Sequence, residues 1–263
     1  MENAVIVSSL RTPVGSFQGG LSTLPAPKLG ALVIKETLNR LNLPSDSIDE
    51  VILGEVLTAG VGQAPARQAA IHSGLKNTTP CLTINKVCGS GLKAVSIAAN
   101  AIACKQADLI IAGGQENMSL GMHGTYIRCG KKFGDEKLID FMMYDGLTDV
   151  FSGVAMGITA ENIAKKFNIS REMQDEFAVK SQAKAAAAQK NGRFKNEIVP
   201  IEVQLKKETK IFDYDEGVRG DSSLEVLSKL RPAFDPAGTV TAGNASTIND
   251  GAAAVLVASE EAV

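Results

Sequence analysis

The stretch NKVCGSGLKAV (85–95) decides how the rest of the chain is read. It places one cysteine, Cys88, directly before Gly-Ser-Gly. A proline-free run rich in Ala, Leu, Ile and Val follows from Ser90 to Lys105 and predicts a mostly buried helix. Leu82 to Val87, before it, reads as a strand. Cys88 is therefore expected at a strand-to-helix turn. A helix N-terminus presents unpaired N–H groups and a partial positive charge. A thiolate there is stabilised, and its nucleophilic fraction rises. Gly89 and Gly91 would let backbone N–H groups approach a ligand closely, as an oxyanion hole requires. Those surroundings suit attack on an acyl thioester, with the acyl group then held on sulfur. A structural cysteine in a glycine-containing turn is the other reading, and Cys-Gly-Ser-Gly alone leaves both open. Cys81, Cys104 and Cys129 lack such neighbours and read as packing or surface residues.

Working outward, Ala4–Ser8 reads as a short buried strand. Lys28–Leu41 carries apolar residues at helical spacing, and Val51–Leu57 reads as strand again. Pro65–Ser73 predicts a helix with proline in its first turn, where the missing N–H costs nothing. Asp108–Gly114 and Ala252–Ala258 are further all-apolar strand candidates. Strands alternating with helices imply an α/β fold with a largely parallel sheet covered on both faces. After Asn117 the pattern changes. Residues 119 to about 155 hold many Gly, Met and charged residues with no clean period. Thr159–Phe167 reads as a helix, and a longer helix follows with Ser170 as N-cap and Gly192 as stop. One α/β core interrupted by a long insertion, at 1–118 plus 248–263 and 119–247 respectively, accounts for this order.

The totals set bounds. The chain has 263 residues, enough for one large domain or two smaller ones. Its net charge of −2 gives no reason to expect nucleic acid. The four cysteines form no C-x-x-C pair, and neither His72 nor His123 stands at zinc-ligand spacing from them, so no metal is expected. The N-terminal residues read as neither signal nor transit peptide, and no apolar run has the length of a membrane helix. A soluble, cytoplasmic protein with reduced thiols is expected.

NKVCGSGLKAV (85–95), AGGQENMS (112–119), GLTDVF (146–151), MGITAENIA (156–164), GTVTAGNAS (238–246) and INDGAA (248–253) occur in this order. Together they resemble the thiolase family, in its biosynthetic acetyltransferase branch, over essentially the whole chain. The resemblance implies a layered α/β/α/β/α fold of two similar halves, each with a mixed sheet and covering helices. This chain would be the N-terminal half, with an inserted loop domain that holds coenzyme A. The implied reaction is Claisen condensation of two acetyl-CoA to acetoacetyl-CoA and coenzyme A, or the reverse thiolysis, through an acetyl-Cys88 intermediate. Coenzyme A is then substrate and product, and no cofactor is implied. Leu147 and Met156 match residues lining the pantetheine and acyl pocket. Arg219 in EGVRG matches an arginine near the adenine nucleotide. Phe234 in RPAF, with Ala242 and Ser246 in TAGNAS, matches further coenzyme A contacts. Read without the resemblance, Leu147, Met156 and Phe234 are ordinary core residues, and Arg219 is a solvated charge. Glu116 beside two glycines reads as a structural residue of the strand-to-insertion junction.

The sequence also departs from the family. Ala155 stands where the family usually has a histidine near the thioester pocket, which bears on acyl preference. The Asn-Glu-Ala-Phe and Gly-His-Pro motifs of the family's second half, and its second cysteine, have no counterpart in the chain. Without them condensation should be slow. The expected partners are a second copy, in a dimer or tetramer, or a C-terminal thiolase half. The competing expectation is a non-catalytic coenzyme A-binding fragment or the subunit of a split thiolase. A carrier-protein-dependent ketoacyl synthase fits the long loop domain and TAGNAS less well.

Overall fold

The structure, a computed structural model, describes residues 3–204 and 208–263. In chain order the elements are β1 (Ala4–Arg11), β2 (Gly15–Ser16), α1 (Ala26–Leu41), β3 (Glu50–Gly54), α2 (Pro65–Ser73), β4 (Cys81–Ile84), α3 (Ser90–Ala103) and β5 (Leu109–Asn117). There follow β6 (His123–Gly124), β7 (Ile139–Asp140), α4 (Met156–Phe167), α5 (Arg171–Lys190), β8 (Ile201–Gln204), β9 (Thr209–Phe212), α6 (Leu224–Ser228) and β10 (Asn249–Ser259). Two compact units result. One takes in the chain up to Met122 together with Asn196–Glu216 and Asn249–Val263. The other consists of His123–Lys195 and Gly217–Ile248.

The sheet of the first unit exists because three apolar strands bury both of their faces. Successive side chains of a strand point to opposite sides. Val51 and Leu53 of β3, Ile111 of β5 and Ala252, Ala254 and Leu256 of β10 therefore join the core on one side, with α1 and α2. Ile52, Ile110, Ala112 and Val257 join the core on the other, with α3. The strand order is β1-β10-β5-β3-β4, with β2 beside β10. The β3 pairings with β4 and β5 are parallel. Those of β10 with β5 and β1 are antiparallel. The sheet is thus mixed, where alternation of strands and helices predicted a largely parallel one. Asp250 pairs with Asn117 and Ala258 with Leu109, so β10 turns straight back along β5. The insertion occupies the connection of a hairpin, and a hairpin is antiparallel whatever its loop contains.

The division of the chain also differs from the expected one, because Asn196–Glu216 belongs to the core unit. Val199, Ile201, Val203 and Phe212 are buried in the core on the α1 side. The Val199 N–H donates to the Arg11 carbonyl at 2.8 Å, and the Arg11 N–H donates to the Glu197 carbonyl at 2.9 Å. The Arg11 guanidinium grips both Asp215 oxygens at 2.7 and 3.0 Å and Glu197 at 2.8 Å. A planar fork held this way fixes the returning segment against β1.

Helix α3 is buried along one stripe only, at Ser90, Ala94, Ala98 and Ile102. These recur every four residues and include two alanines, so the helix lies close on the sheet. The expectation of a mostly buried helix is corrected here: Leu92 stays 78% exposed and Val95, Ile97 and Ala101 only partly covered, because one face alone meets the sheet. Edge strand β1 carries a bulge between Ile6 and Ser8, and Ile6 and Val7 are exposed.

In the second unit, buried charges tie loops to helices. Ser170 caps α5, accepting the Met173 N–H, as its sequence position predicts. Glu161 of α4 is buried; its carboxylate accepts the N–H groups of Thr239 and Val240 at 2.8 and 2.7 Å and the Thr239 hydroxyl at 2.9 Å. Burial opposes its charge, but the N–H groups of Val240 and Thr239 and the Thr239 hydroxyl outweigh it and hold the carboxyl below its ordinary range. Buried Asp175 of α5 similarly accepts from Arg171 at 2.7 Å and from Asn244 at 2.8 Å. Among the described residues no helix is long and apolar enough to cross a membrane.

Two outcomes are expected. A Cβ at Gly113 would lie 2.0 Å from the Ala253 carbonyl oxygen, and backbone cannot swing aside. Gly113→Ala should therefore destabilise the core unit by about 3 kcal/mol in denaturant titration. Glu161→Ala leaves three donors unmet and should cost the second unit a similar ~3 kcal/mol. In the wild type, the Glu161 contribution is full above the ordinary carboxylate value of 4.5 and is lost as pH falls through its lower folded value. Unfolding curves at successively lower pH should converge for wild type and variant.

Candidate active site

Cys88 lies in the turn between β4 and α3, and it is exposed. The residue before it, Val87, has φ +48°, in the left-handed region that β-branched residues avoid. Such a conformation costs on the order of 1–3 kcal/mol and persists only where neighbours enforce it. Here they do. The Val87 N–H donates to Asn85 Oδ1 at 2.9 Å, and the Lys86 N–H donates to Ser90 Oγ at 2.7 Å. The Ser90 hydroxyl donates to the Val87 carbonyl at 2.6 Å, which also takes the Ser90 N–H at 3.1 Å. The turn rests on the end of β3, where a Cβ on Gly54 would meet Ser90 Cβ at 2.4 Å and the Gly91 nitrogen at 2.9 Å. Glycine at 54 is thus the condition for seating α3, and with it Cys88, on the sheet.

The glycines differ from expectation in one respect. The Gly89 N–H is engaged by the Lys86 carbonyl at 3.1 Å, and the Gly91 nitrogen lies against Gly54. The Gly89 N–H thus serves the turn and is not free to line an anion cradle, and Gly91 lets α3 sit close on Gly54.

Cys88 opens on a cavity of about 370 Å³ at the carboxyl ends of β3 and β5, whose wall includes Arg11, Gly54, Glu55, Glu116 and Asp250. The Glu116 carboxylate accepts the N–H groups of Val56 and Leu57 at 2.9 and 3.1 Å, which gives it the structural role read from the sequence. Burial nevertheless raises it, against the pull of those two N–H groups. Asp250 accepts from the Ser119 N–H at 3.0 Å and hydroxyl at 2.6 Å, tying the start of β10 to the exit of β5. Glu55 belongs to none of the motifs named above. It is fully buried, and its Oε2 accepts from Gln115 Nε2 at 2.7 Å. Burial pushes its carboxyl up to about 7; the Gln115 hydrogen bond pulls it down, and the nearby Glu116 charge raises it. The signal that could have found it is a lone acid inside the apolar run Val51–Leu57.

The remaining predicted site residues lie in the second unit. Leu147, Met156 and Phe234 are brought together. The Met156 N–H donates to the Leu147 carbonyl at 2.9 Å. The Phe234 ring covers Gly157, where a Cβ would sit 2.1 Å from the ring. Phe234 and Met156 are 42% and 41% exposed, so neither is a core residue, and Leu147 is partly exposed. Ala242 and Ser246 are exposed on the turn after Thr241, which bridges to Pro232 beside the Phe234 segment. Arg219 is exposed elsewhere, with its backbone N–H donating to Gln182 of α5 at 2.8 Å.

Comparison with known proteins gives a consistent result. The model for the thiolase N-terminal domain matches residues 4–261. An acetyl-CoA acetyltransferase of Cupriavidus necator is 57% identical over 263 residues, covering 98% of this chain and 66% of that protein. One from Pseudomonas aeruginosa is 56% identical over 263 residues, with 98% and 66% covered. A probable acetyl-CoA acetyltransferase of Escherichia coli is 53% identical over 261 residues, with 99% and 66% covered. The chain thus spans about 66% of the length of these curated relatives. With a mixed sheet, a cysteine on the β4–α3 turn and a matched N-terminal domain over nearly its whole length, the chain belongs to the thiolase family.

Proposed function

We propose that this chain takes part in thiolase-type acyl transfer, with Cys88 as the acylated nucleophile. The observation that carries the reading is the exposed sulfur on a strained, hydrogen-bonded turn at the edge of a cavity. The names of the relatives point to acetyl-CoA as substrate. In the first half-reaction the Cys88 thiolate attacks the thioester carbonyl carbon. The tetrahedral adduct collapses, the carbon–sulfur bond to coenzyme A breaks, and the coenzyme A thiolate leaves and takes up a proton. In the second, a base supplied by the proposed C-terminal half takes an α-proton from another acetyl-CoA; the resulting carbanion attacks the carbonyl carbon of acetyl-Cys88 and the carbon–sulfur bond to Cys88 breaks, giving acetoacetyl-CoA and returning the thiolate; thiolysis is the reverse. Coenzyme A is substrate and product, and the proposed reaction uses no further cofactor or metal.

Binding of coenzyme A is assigned to the second unit, with Leu147, Met156 and Phe234 along the pantetheine arm, Ala242 and Ser246 beside it, and Arg219 towards the nucleotide. Exposure of two apolar side chains around Gly157 supports this, since a surface Phe and Met without cover suit an apolar arm. We further propose that a second copy or a C-terminal thiolase half covers the apolar outer side of α3, where Leu92 stands out. A cytoplasmic setting suits the four thiols. A second reading, a coenzyme A-binding subunit of a split thiolase without turnover of its own, is favoured by that uncovered face.

Incubation of the purified chain with acetyl-CoA, followed by peptide mass mapping, should find one acetyl group on the Cys88 peptide and none in Cys88→Ala. Acetylation elsewhere, or none in the wild type, sinks the nucleophile assignment. Phe234→Ala should weaken coenzyme A binding about tenfold by calorimetry, or roughly 1.4 kcal/mol. An unchanged affinity removes Phe234 from the site.

A further inference from the structure

Glu55 stands in the wall shared by two cavities. One is the Cys88 cavity. The other, of about 370 Å³, lies between α1, α2 and the segment after β3, with Lys28, Gln68, His72 and Met122 in its lining. Glu55 is 1% exposed. Its Oε2 is met by Gln115, but among the described residues no donor meets its Oε1, and none meets Oε1 of Gln115. An ionised carboxylate with an unmet oxygen at that depth is costly, and Glu116 beside it adds like charge. A proton on Glu55 removes the charge and turns an unmet acceptor into a donor. Of the groups around it, Gln115 and Glu116 come from β5, Lys28 from α1, Gln68 and His72 from α2, Arg11 from β1 and Asp250 from β10. Arg11 is held by Asp215 and Glu197, and Asp250 by Ser119.

The backbone of this segment leads to Cys88. The Glu55 N–H donates to the carbonyl of Ile84, the last residue of β4, at 3.1 Å. The next carbonyl, of Val56, accepts from Asn85 Nδ2 at 3.5 Å. Oδ1 of that same Asn85 takes the N–H of Val87, the strained residue before Cys88. Glu116 holds the other side, through the N–H groups of Val56 and Leu57. Two adjoining hydrogen bonds thus link the Glu55 segment to the turn.

We propose that Glu55 is a positioning residue that holds the Cys88 turn as a neutral acid, and that its ionisation loosens that turn. Its bearing on catalysis rests on the acyl-transfer reading of Cys88; the coupling of Glu55 to the turn does not.

The test is a titration of the full chain by NMR, from about pH 5 to about pH 9. The side-chain carboxyl carbon of Glu55 and the amide nitrogens at positions 87 and 88 are followed in a Cys88→Ser background, so that the thiol's own ionisation does not move them, with Glu55 intact (here the wild type) and with Glu55→Gln. A common midpoint for all three signals well above the ordinary glutamate range is expected in the wild type. Glu55→Gln, which mimics the neutral acid, should abolish the titration at positions 87 and 88 and keep both amides at their low-pH positions. Amides that still titrate in the variant, or that fail to move with Glu55 in the wild type, overturn the proposal. So does a Glu55 that titrates in the ordinary range. Should Glu55→Gln not fold, Glu116→Gln removes the neighbouring charge and should lower the shared midpoint; an unmoved midpoint overturns the proposal equally. Acetylation of Cys88 by acetyl-CoA is scored separately. Co-titration without acetylation keeps Glu55 as positioning residue and removes the acyl-transfer reading, and the converse result does the opposite.

Discussion

The antiparallel pairing of β5 with β10 is the constraint on which the rest of the structure depends. It runs from Asp250–Asn117 to Ala258–Leu109, a ladder without interruption and apolar from Ala253–Gly114 onward, at the centre of the sheet. Both faces of that ladder are buried, one under α1 and α2, the other under α3. It also closes a connection of about 130 residues, whose entropy cost grows only slowly with length. Asp250 and Ser119 clasp the two ends of the connection together. Without that clasp the carboxyl ends of β3 and β5, where the Cys88 cavity opens, would have no fixed floor.

On this frame the site is built by close approach. Gly54 and Gly113 leave backbone bare where α3 and β10 come down on the sheet. The helix can then begin at Ser90, and the chain must enter it through Val87 in a conformation that valine disfavours. The strain is confined by the hydrogen bond that Val87 donates to Asn85 and the one its carbonyl accepts from Ser90. The result is a sulfur in solvent on a rigid mount, a combination that a loosely tethered cysteine would lack. The three carboxyl groups behind it are of two kinds. Asp250 and Glu116 hold backbone, whereas one oxygen of Glu55 meets no donor among the described residues.

Much of this was legible in the chain. Helix α2 spans Pro65–Ser73, the range read from the sequence, and the strand–turn–helix around Cys88 follows from glycine spacing and the apolar run after it. Ser170 announces α5 by its chemistry. What could not be read locally depends on distant partners. The direction of β10 is set by its pairing, since an all-apolar strand looks the same in either orientation. The placement of Asn196–Glu216 in the core unit depends on Arg11 meeting Asp215, residues 204 positions apart. Valine carries no signal for positive φ, so the strain at Val87 is invisible in sequence. Glu55 hides inside a strand pattern because burial of an acid is decided by neighbours from other strands and helices. In the second unit, motif matching named Phe234 and Met156, but their exposure around Gly157 is a property of the folded chain.

The hairpin with its long connection also sets an order of events during synthesis. Ribosomes add roughly 5–20 residues per second. β5 therefore leaves the ribosome on the order of ten seconds before the strand that will cover its open edge has been made. In that interval β3 shields one side of Leu-Ile-Ile-Ala-Gly-Gly, and the other side presents an unpaired row of N–H and C=O groups. A nascent chain that has paired β3 with β5 would carry that bare edge until β10 emerges, and the rate of translation through residues 118–248 would set how long it does so.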